Sequence, residues 1–186
     1  MTQPPNKPNH PNKPNPSITT SPSNQNKHQQ KQSDRNTENR RSEDITMTMV
    51  KKIDDLKTLK EYKIRHLVED TAKLGETLVS KKLKTNQIRK FLDAVKRFKL
   101  QLRVNQELSK EDIFAEKKDE LHILRYQLAY AAARQQKNKD PGPVEPLKQV
   151  LEAAIKKVTD LEDFNRFVQL IESIVAYHKA AGGKDQ

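Results

Sequence analysis

The sequence predicts an all-α fold, a compact bundle of about five helices preceded by a disordered N-terminal tail. Three observations predict it. From about residue 45 onward apolar side chains recur at helical spacing, and no stretch sustains the alternation of a half-buried strand. Only four glycines occur in 186 residues, at positions read as helix ends or turns. Asp140-Pro141-Gly142-Pro143, with Pro146, makes one clear break inside the helical region.

The elements follow in order. A stretch at about 45–58 is helical and either joins the next helix or folds apart from it. The next helix sets Ile64, Leu67, Val68, Thr71, Leu74 and Leu78 on one face. Another opens at Thr85, a residue suited to an N-cap, and buries Ile88, Phe91, Leu92, Val95, Phe98 and Leu102. A third follows Ser109, with Asp112 three residues on in the manner of a capping box, and runs to about Lys137. Its core line is Phe114, Leu121, Leu124, Leu128 and Ala131, but it carries a second apolar line, Ile123, Tyr126, Tyr130 and Ala133. A helix apolar on two faces is either central in its bundle or docks against another subunit, with Tyr126 and Tyr130 the candidate interface residues. After the proline break a fourth helix shows Leu147, Val150, Leu151, Ala154, Ile155 and Val158. A fifth begins near Asp160 and carries Leu161, Phe164, Phe167, Val168, Ile171, Ile174, Val175 and His178 before Gly182-Gly183 closes it.

Residues 1–44 contrast with this domain, 45–186. They hold Met1 and Ile18 as their only hydrophobic residues, seven of the ten prolines, and a tandem Pro-Asn-Lys-Pro-Asn at 5–9 and 11–15. So little apolar surface cannot offset the entropy of ordering, so the segment is read as disordered. With seven basic and four acidic residues its net charge is only +3, which favours a solubilising extension over the alternative of a weak nucleic-acid arm. Cysteine is absent, which excludes disulfides and thiolate chemistry and suits a reducing, cytoplasmic setting. The longest apolar run, Leu128 to Ala133, is far too short to span a membrane. Near the N-terminus no apolar core of a signal peptide appears.

The charge is unevenly placed. Residues 45–186 hold 29 Lys/Arg and 21 Asp/Glu, a net +8. The same excess lies between Lys81 and Arg103 alone, where Lys81, Lys82, Lys84, Arg89, Lys90, Lys96, Arg97, Lys99 and Arg103 face the single acid Asp93. At about 100° per residue, Arg89, Lys90, Lys96, Arg97 and Arg103 fall in one connected sector opposite the apolar side of their helix. Lys81, Lys82 and Lys84 extend that sector through the turn before it. A solvated helix face ordinarily interleaves acids with its bases, and this one does not. The pattern therefore points to a polyanion, naturally single-stranded RNA or an RNA-containing duplex. With Trp absent and only Tyr126 and Tyr130 as candidate surface aromatics, phosphate tracking is expected rather than base stacking. Arg125 and Arg134 either extend the basic surface or satisfy acids such as Glu120.

Signatures of catalysis are missing. No glycine-rich phosphate loop and no His-Glu-x-x-His occurs, and His10, His28, His66, His122 and His178 stand singly. His178 reads as a packing or capping residue. The acid pairs Asp54-Asp55 and Asp119-Glu120 point to different helix faces and make poor metal ligands. No cofactor or metal is expected.

Three stretches together resemble the small subunit of the Csm effector complex of type III-A CRISPR–Cas systems. They are Leu83-Lys84-Thr85-Asn86-Gln87-Ile88-Arg89-Lys90-Phe91, then Leu128-Ala129-Tyr130-Ala131-Ala132-Ala133-Arg134, then Phe167 to Ile171 with Ile174-Val175-Ala176-Tyr177-His178-Lys179 through Gly182-Gly183-Lys184. Ala133 stands where the family commonly has glycine, and Arg125-Tyr126 replaces a Lys-Pro-like pair. The resemblance, over roughly residues 60–185, implies a non-catalytic subunit that self-associates in a stack along the effector, beside other Csm subunits. There it lines the channel where CRISPR RNA pairs with target RNA. On that resemblance Arg89, Lys90 and Arg134 become RNA-backbone contacts, while Lys81, Lys82, Lys84, Lys96, Arg97 and Arg103 rest on charge alone. The alternatives are a helical protein-interaction adaptor, the small subunit of a type III-B (Cmr) complex, and a metal nuclease.

Overall fold

The computed structural model describes Thr2 and residues 45–102, 109–136 and 141–185. The reading of 1–44 as a disordered tail lies outside the described residues, Thr2 apart. Residues 45–54 are helical (α1), followed by α2 (Ile64–Ser80), α3 (Thr85–Gln101), α4 (Lys110–Lys117), α5 (Leu121–Ala133), α6 (Glu145–Lys156) and α7 (Leu161–Ala180). Single 3-10 turns occupy Leu59–Glu61 and Lys118–Glu120. No strand occurs among the described residues, as the apolar spacing predicts.

The helix count exceeds the expected five for two reasons. The 45–54 stretch folds apart from α2, with Met49 and Ile53 fully buried. The long helix expected from Ser109 tightens into the 3-10 turn at Lys118–Glu120, which buries no side chain. That 3-10 turn separates α4 from α5. Its start is as predicted: Ser109 Oγ accepts the Asp112 amide at 3.1 Å.

Helix α7 is the hub. It packs most extensively on α2, then on α3, and also meets the Leu59–Glu61 turn and α4, while α5 pairs with α6 and touches α3. All five phenylalanines of the chain meet around α7. Phe98, Phe114 and Phe164 form a mutual cluster with the closest centroids 5.1 Å apart, and Phe91 meets Phe167 edge-on at 6.4 Å. Such pairs contribute roughly 0.5–1.5 kcal/mol each beyond their buried area.

Gly75 departs from the expectation that glycines mark ends and turns, since it lies inside α2. A Cβ there would stand 2.8 Å from both the amide nitrogen of His178 and the carbonyl carbon of Tyr177, so the missing side chain sets how closely α2 approaches α7. Gly182 behaves as expected: at φ +90° it ends α7, with the Gly182 amide bonded to Lys179 O and the Gly183 amide to His178 O.

Buried polar groups fasten the N-terminal elements. Asp163, wholly buried, accepts the Lys60 amide (2.7 Å), the Thr159 amide (3.0 Å) and the Thr159 hydroxyl (2.6 Å), which ties the 59–61 turn to the start of α7. The Lys157 ammonium donates to the carbonyls of Asp54, the last residue of α1, and Leu56 just past it, where helix-end carbonyls lack partners. Asp70 of α2 receives Lys52 on both carboxylate oxygens at 2.8 Å and the Tyr62 hydroxyl at 2.8 Å. Burial, reinforced by Asp70 beside it, pushes the Tyr62 phenol far above its ordinary range, so it stays a donor.

Candidate nucleic-acid interface

The predicted division of α3 into two faces holds. Ile88, Phe91, Leu92, Val95 and Phe98, with Leu102 just beyond, are buried, while Arg89, Lys90, Lys96 and Arg97 are exposed. The mechanism is the period itself, which turns basic residues outward at the positions between core contacts.

The helix does not start as expected. Lys84 takes the cap position in extended backbone, and Thr85 is the first helical residue, wholly buried. Its hydroxyl is directed to His178 Nδ1 at 3.2 Å and so is not spent on its own helix. The free amides of the first turn are met otherwise: Lys84 N–H donates to Gln87 Oε1 (3.1 Å) and Thr85 N–H to Lys184 O (2.8 Å).

The basic turn before α3 is held tightly. α2 ends with Lys82 in the left-handed region at φ 61°, the Lys82 amide bonded to Val79 O and the Leu83 amide to Leu78 O. This is the reversal that ordinarily employs glycine, and a side chain there costs about 1–2 kcal/mol. The turn is anchored by His178, whose Nε2 lies 2.9 Å from Leu83 O. A carbonyl only accepts, so Nε2 carries the proton and Nδ1 accepts from Thr85. His178 is therefore a packing residue that fixes the 83–85 backbone, as its isolation in the sequence suggests.

Burial lowers the His178 pKa below its ordinary 6.5, outweighing the opposing effect of the Leu83 carbonyl. Below pH 6.5 the unfolded chain takes up a proton that the folded one resists, so stability falls with pH from there down to the folded pKa. Above pH 6.5 the contribution is complete. We expect the melting temperature to decline between pH 6.5 and 5.5, and the decline to shrink in His178→Gln; equal declines in both proteins would remove His178 as the cause.

The cations predicted for the site fall into distinct settings. Arg89 Nη1 lies 3.2 Å from Asp185, and Lys96 Nζ lies 3.5 Å from Glu172 of α7. Lys82, Lys84, Lys90 and Arg97 are exposed with no acid paired to them among the described residues. Lys81 is half-buried and lines a separate cleft of about 580 Å³ with Thr46, Met47 and the α6 start. Arg103 lies outside the described residues. Arg134, exposed just past α5, sets its guanidinium 5.7 Å above the Tyr130 ring. Glu120 takes Lys117 as its partner at 3.4 Å, so neither Arg125 nor Arg134 serves it; Arg125 approaches His122 instead.

Lys90 and Arg134 converge. They line one cleft of about 540 Å³ between α3, α5 and the approach to α6. Phe91, Leu128, Ala131, Val144 and Leu147 supply its apolar lining, and Gln87, Gln127 and Gln135 its uncharged polar groups. Sequence reasoning missed the three glutamines. The i, i+3 step from Gln87 to Lys90 was a usable signal, but Gln127 of α5 and Gln135 just past it join the cleft only through packing. Beside it, Ile123, Tyr126 and Tyr130 stand 43%, 63% and 64% exposed. The second apolar line of α5 therefore does not make that helix central; it faces outward in the monomer.

Among the described residues no group of three His, Asp or Glu stands close enough to hold a metal, and no helix is long and apolar enough to cross a membrane. What fold and surface define is a small all-helical protein with one cationic face and an uncovered aromatic strip. The family model described as Csm2 Type III-A matches residues 61–184. A relative described as the CRISPR system Cms protein Csm2, from Streptococcus thermophilus, is 37% identical over 103 residues, covering 55% of this chain and 76% of that protein. The chain belongs to the Csm2 family and is a type III-A Csm small subunit, which sets aside the type III-B alternative. Membership implies association with other subunits of the Csm complex.

Proposed function

We propose that this subunit is a non-catalytic, cytoplasmic component that grips the backbone of target RNA and CRISPR RNA through α3 and the cleft beside it. The observation that carries the reading is that Lys90 and Arg134, which come from different sequence motifs, line one cleft. Arg97, two turns further along the Lys90 side of α3, and Lys82 and Lys84 in the turn continue the phosphate track. Arg89 and Lys96 join it once their acidic partners exchange for phosphate, and Lys81 lies at its margin. Binding of this kind reads charge and shape and leaves sequence to base pairing between guide and target. The outward strip of Ile123, Tyr126 and Tyr130 supports docking to a neighbouring subunit or a stacked second copy, because large apolar side chains in contact with water favour a partner. That strip also fits the adaptor reading, in which RNA plays no part.

Titrating the full chain with unrelated single-stranded RNAs at several salt concentrations separates the two. If about four to six phosphates are engaged, log affinity is expected to fall against log salt with a slope of roughly −3 to −4, with little dependence on sequence. Indifference to RNA at low salt would leave the adaptor.

A further inference from the structure

We propose that Arg89 and Lys179 form a phosphodiester-binding subsite that the Asp185 side chain occupies in the free protein and yields to an RNA backbone; this rests on the RNA-binding reading above. Arg89 belongs to α3 and Lys179 to the last turn of α7, so nothing in the local sequence pairs them. Asp185 joins them, one oxygen to each: Arg89 Nη1 to Oδ1 at 3.2 Å and Lys179 Nζ to Oδ2 at 2.8 Å. A phosphodiester likewise carries one negative charge over two free oxygens, so the carboxylate matches it in charge and in number of acceptors.

The chain is arranged to deliver this carboxylate. The reversal at Gly182 and Gly183 turns the backbone from α7 toward α3. Lys184 O then accepts the Thr85 amide at 2.8 Å, laying 183–185 over the first turn of α3. Lys179 also donates to Gly183 O at 3.4 Å. The contact is nonetheless made to exchange. Arg89, Lys179 and Asp185 are each about half exposed (49%, 48% and 48%), so a ligand reaches them, and ion pairs in such settings are weak. With Asp185 moved aside, neither cation has another acid partner among the described residues. Arg89 also adjoins Lys90 in sequence, so the subsite lengthens the phosphate track from the α3–α5 cleft around α3 to α7.

The test is Asp185→Asn in the full chain, with RNA binding followed by fluorescence anisotropy across salt concentrations. Removing the internal competitor is expected to raise affinity for single-stranded RNA by up to about fivefold at low salt. It is also expected to steepen the salt slope by about 0.7 for each phosphate contact no longer exchanged for the carboxylate. Lys179→Gln added to Asp185→Asn is expected to cancel the gain. Affinity and slope unchanged by Asp185→Asn, with wild-type binding still salt-dependent, would overturn the subsite and leave the broader reading intact. Absence of salt-dependent binding by the wild type overturns that reading and the subsite with it. A gain toward inorganic phosphate with none toward RNA would also overturn the backbone assignment.

Discussion

Replacing Lys90, Arg97 and Arg134 together by glutamate is expected to weaken single-stranded RNA binding by the full chain at least about a hundredfold at ~0.1 M salt. Each cation neutralises a phosphate and releases condensed counterions, and reversing its sign adds repulsion to the lost contact. The choice of three follows from their settings. Lys90 and Arg134 line one cleft, and Lys90 and Arg97 are exposed with no acid paired to them among the described residues. Arg89 is left out because its tie to Asp185 would mix the loss of a phosphate contact with release of that carboxylate. Stability should change little, since all three side chains are exposed; the helical circular dichroism signal and melting temperature check this. The control carries the same charge change elsewhere: Lys51, Lys63 and Lys73, also exposed, replaced by glutamate. Equal losses in both triple variants would reduce the effect to net charge and remove the α3 face from the account.

Gly75→Val is expected to destabilise the domain by about 3 kcal/mol or more, a large share of the roughly 5–15 kcal/mol by which domains of this size are stable. The obstacle to a side chain is backbone, the His178 amide and the Tyr177 carbonyl carbon, each 2.8 Å from the position of the new Cβ, and backbone has no rotamer to change. Gly75→Ala isolates the steric effect, because alanine returns about 1 kcal/mol of helix propensity while adding only the Cβ. Denaturant unfolding of both variants measures the outcome; an alanine variant more stable than wild type would mean α2 and α7 separate without cost. The consequence reaches the interface. His178, on the α7 segment that Gly75 touches, holds Leu83 and Thr85, so wedging α2 from α7 disturbs the basic turn and the start of α3.

Much of this was legible in the sequence because periodicity is a local property. The apolar positions of α3, α6 and α7 form the core face that their spacing predicts, and Ser109, Asp160 and Gly182 cap the helices as their types suggest. Thr85 misled for a physical reason: a threonine before a helix resembles a cap until a distant histidine claims its hydroxyl. Gly75 misled likewise, since a lone helical glycine says nothing of what lies across from it. The second apolar line of α5 left two readings open, and only burial decided that Ile123, Tyr126 and Tyr130 face outward.

By itself, then, the sequence determined an all-helical fold, the family through three ordered motifs, and a basic stretch divided into buried and exposed faces. Each depends on residues near one another in the chain. The tertiary structure decided which cations share a cleft, which pair with acids of α7 and of the segment after it, and which turn is locked to His178. Lys90 shares a cleft with Arg134, and Arg89 pairs with Asp185, across long intervals of sequence. Such pairings are set by how helices pack, and packing depends on contacts that no local period encodes.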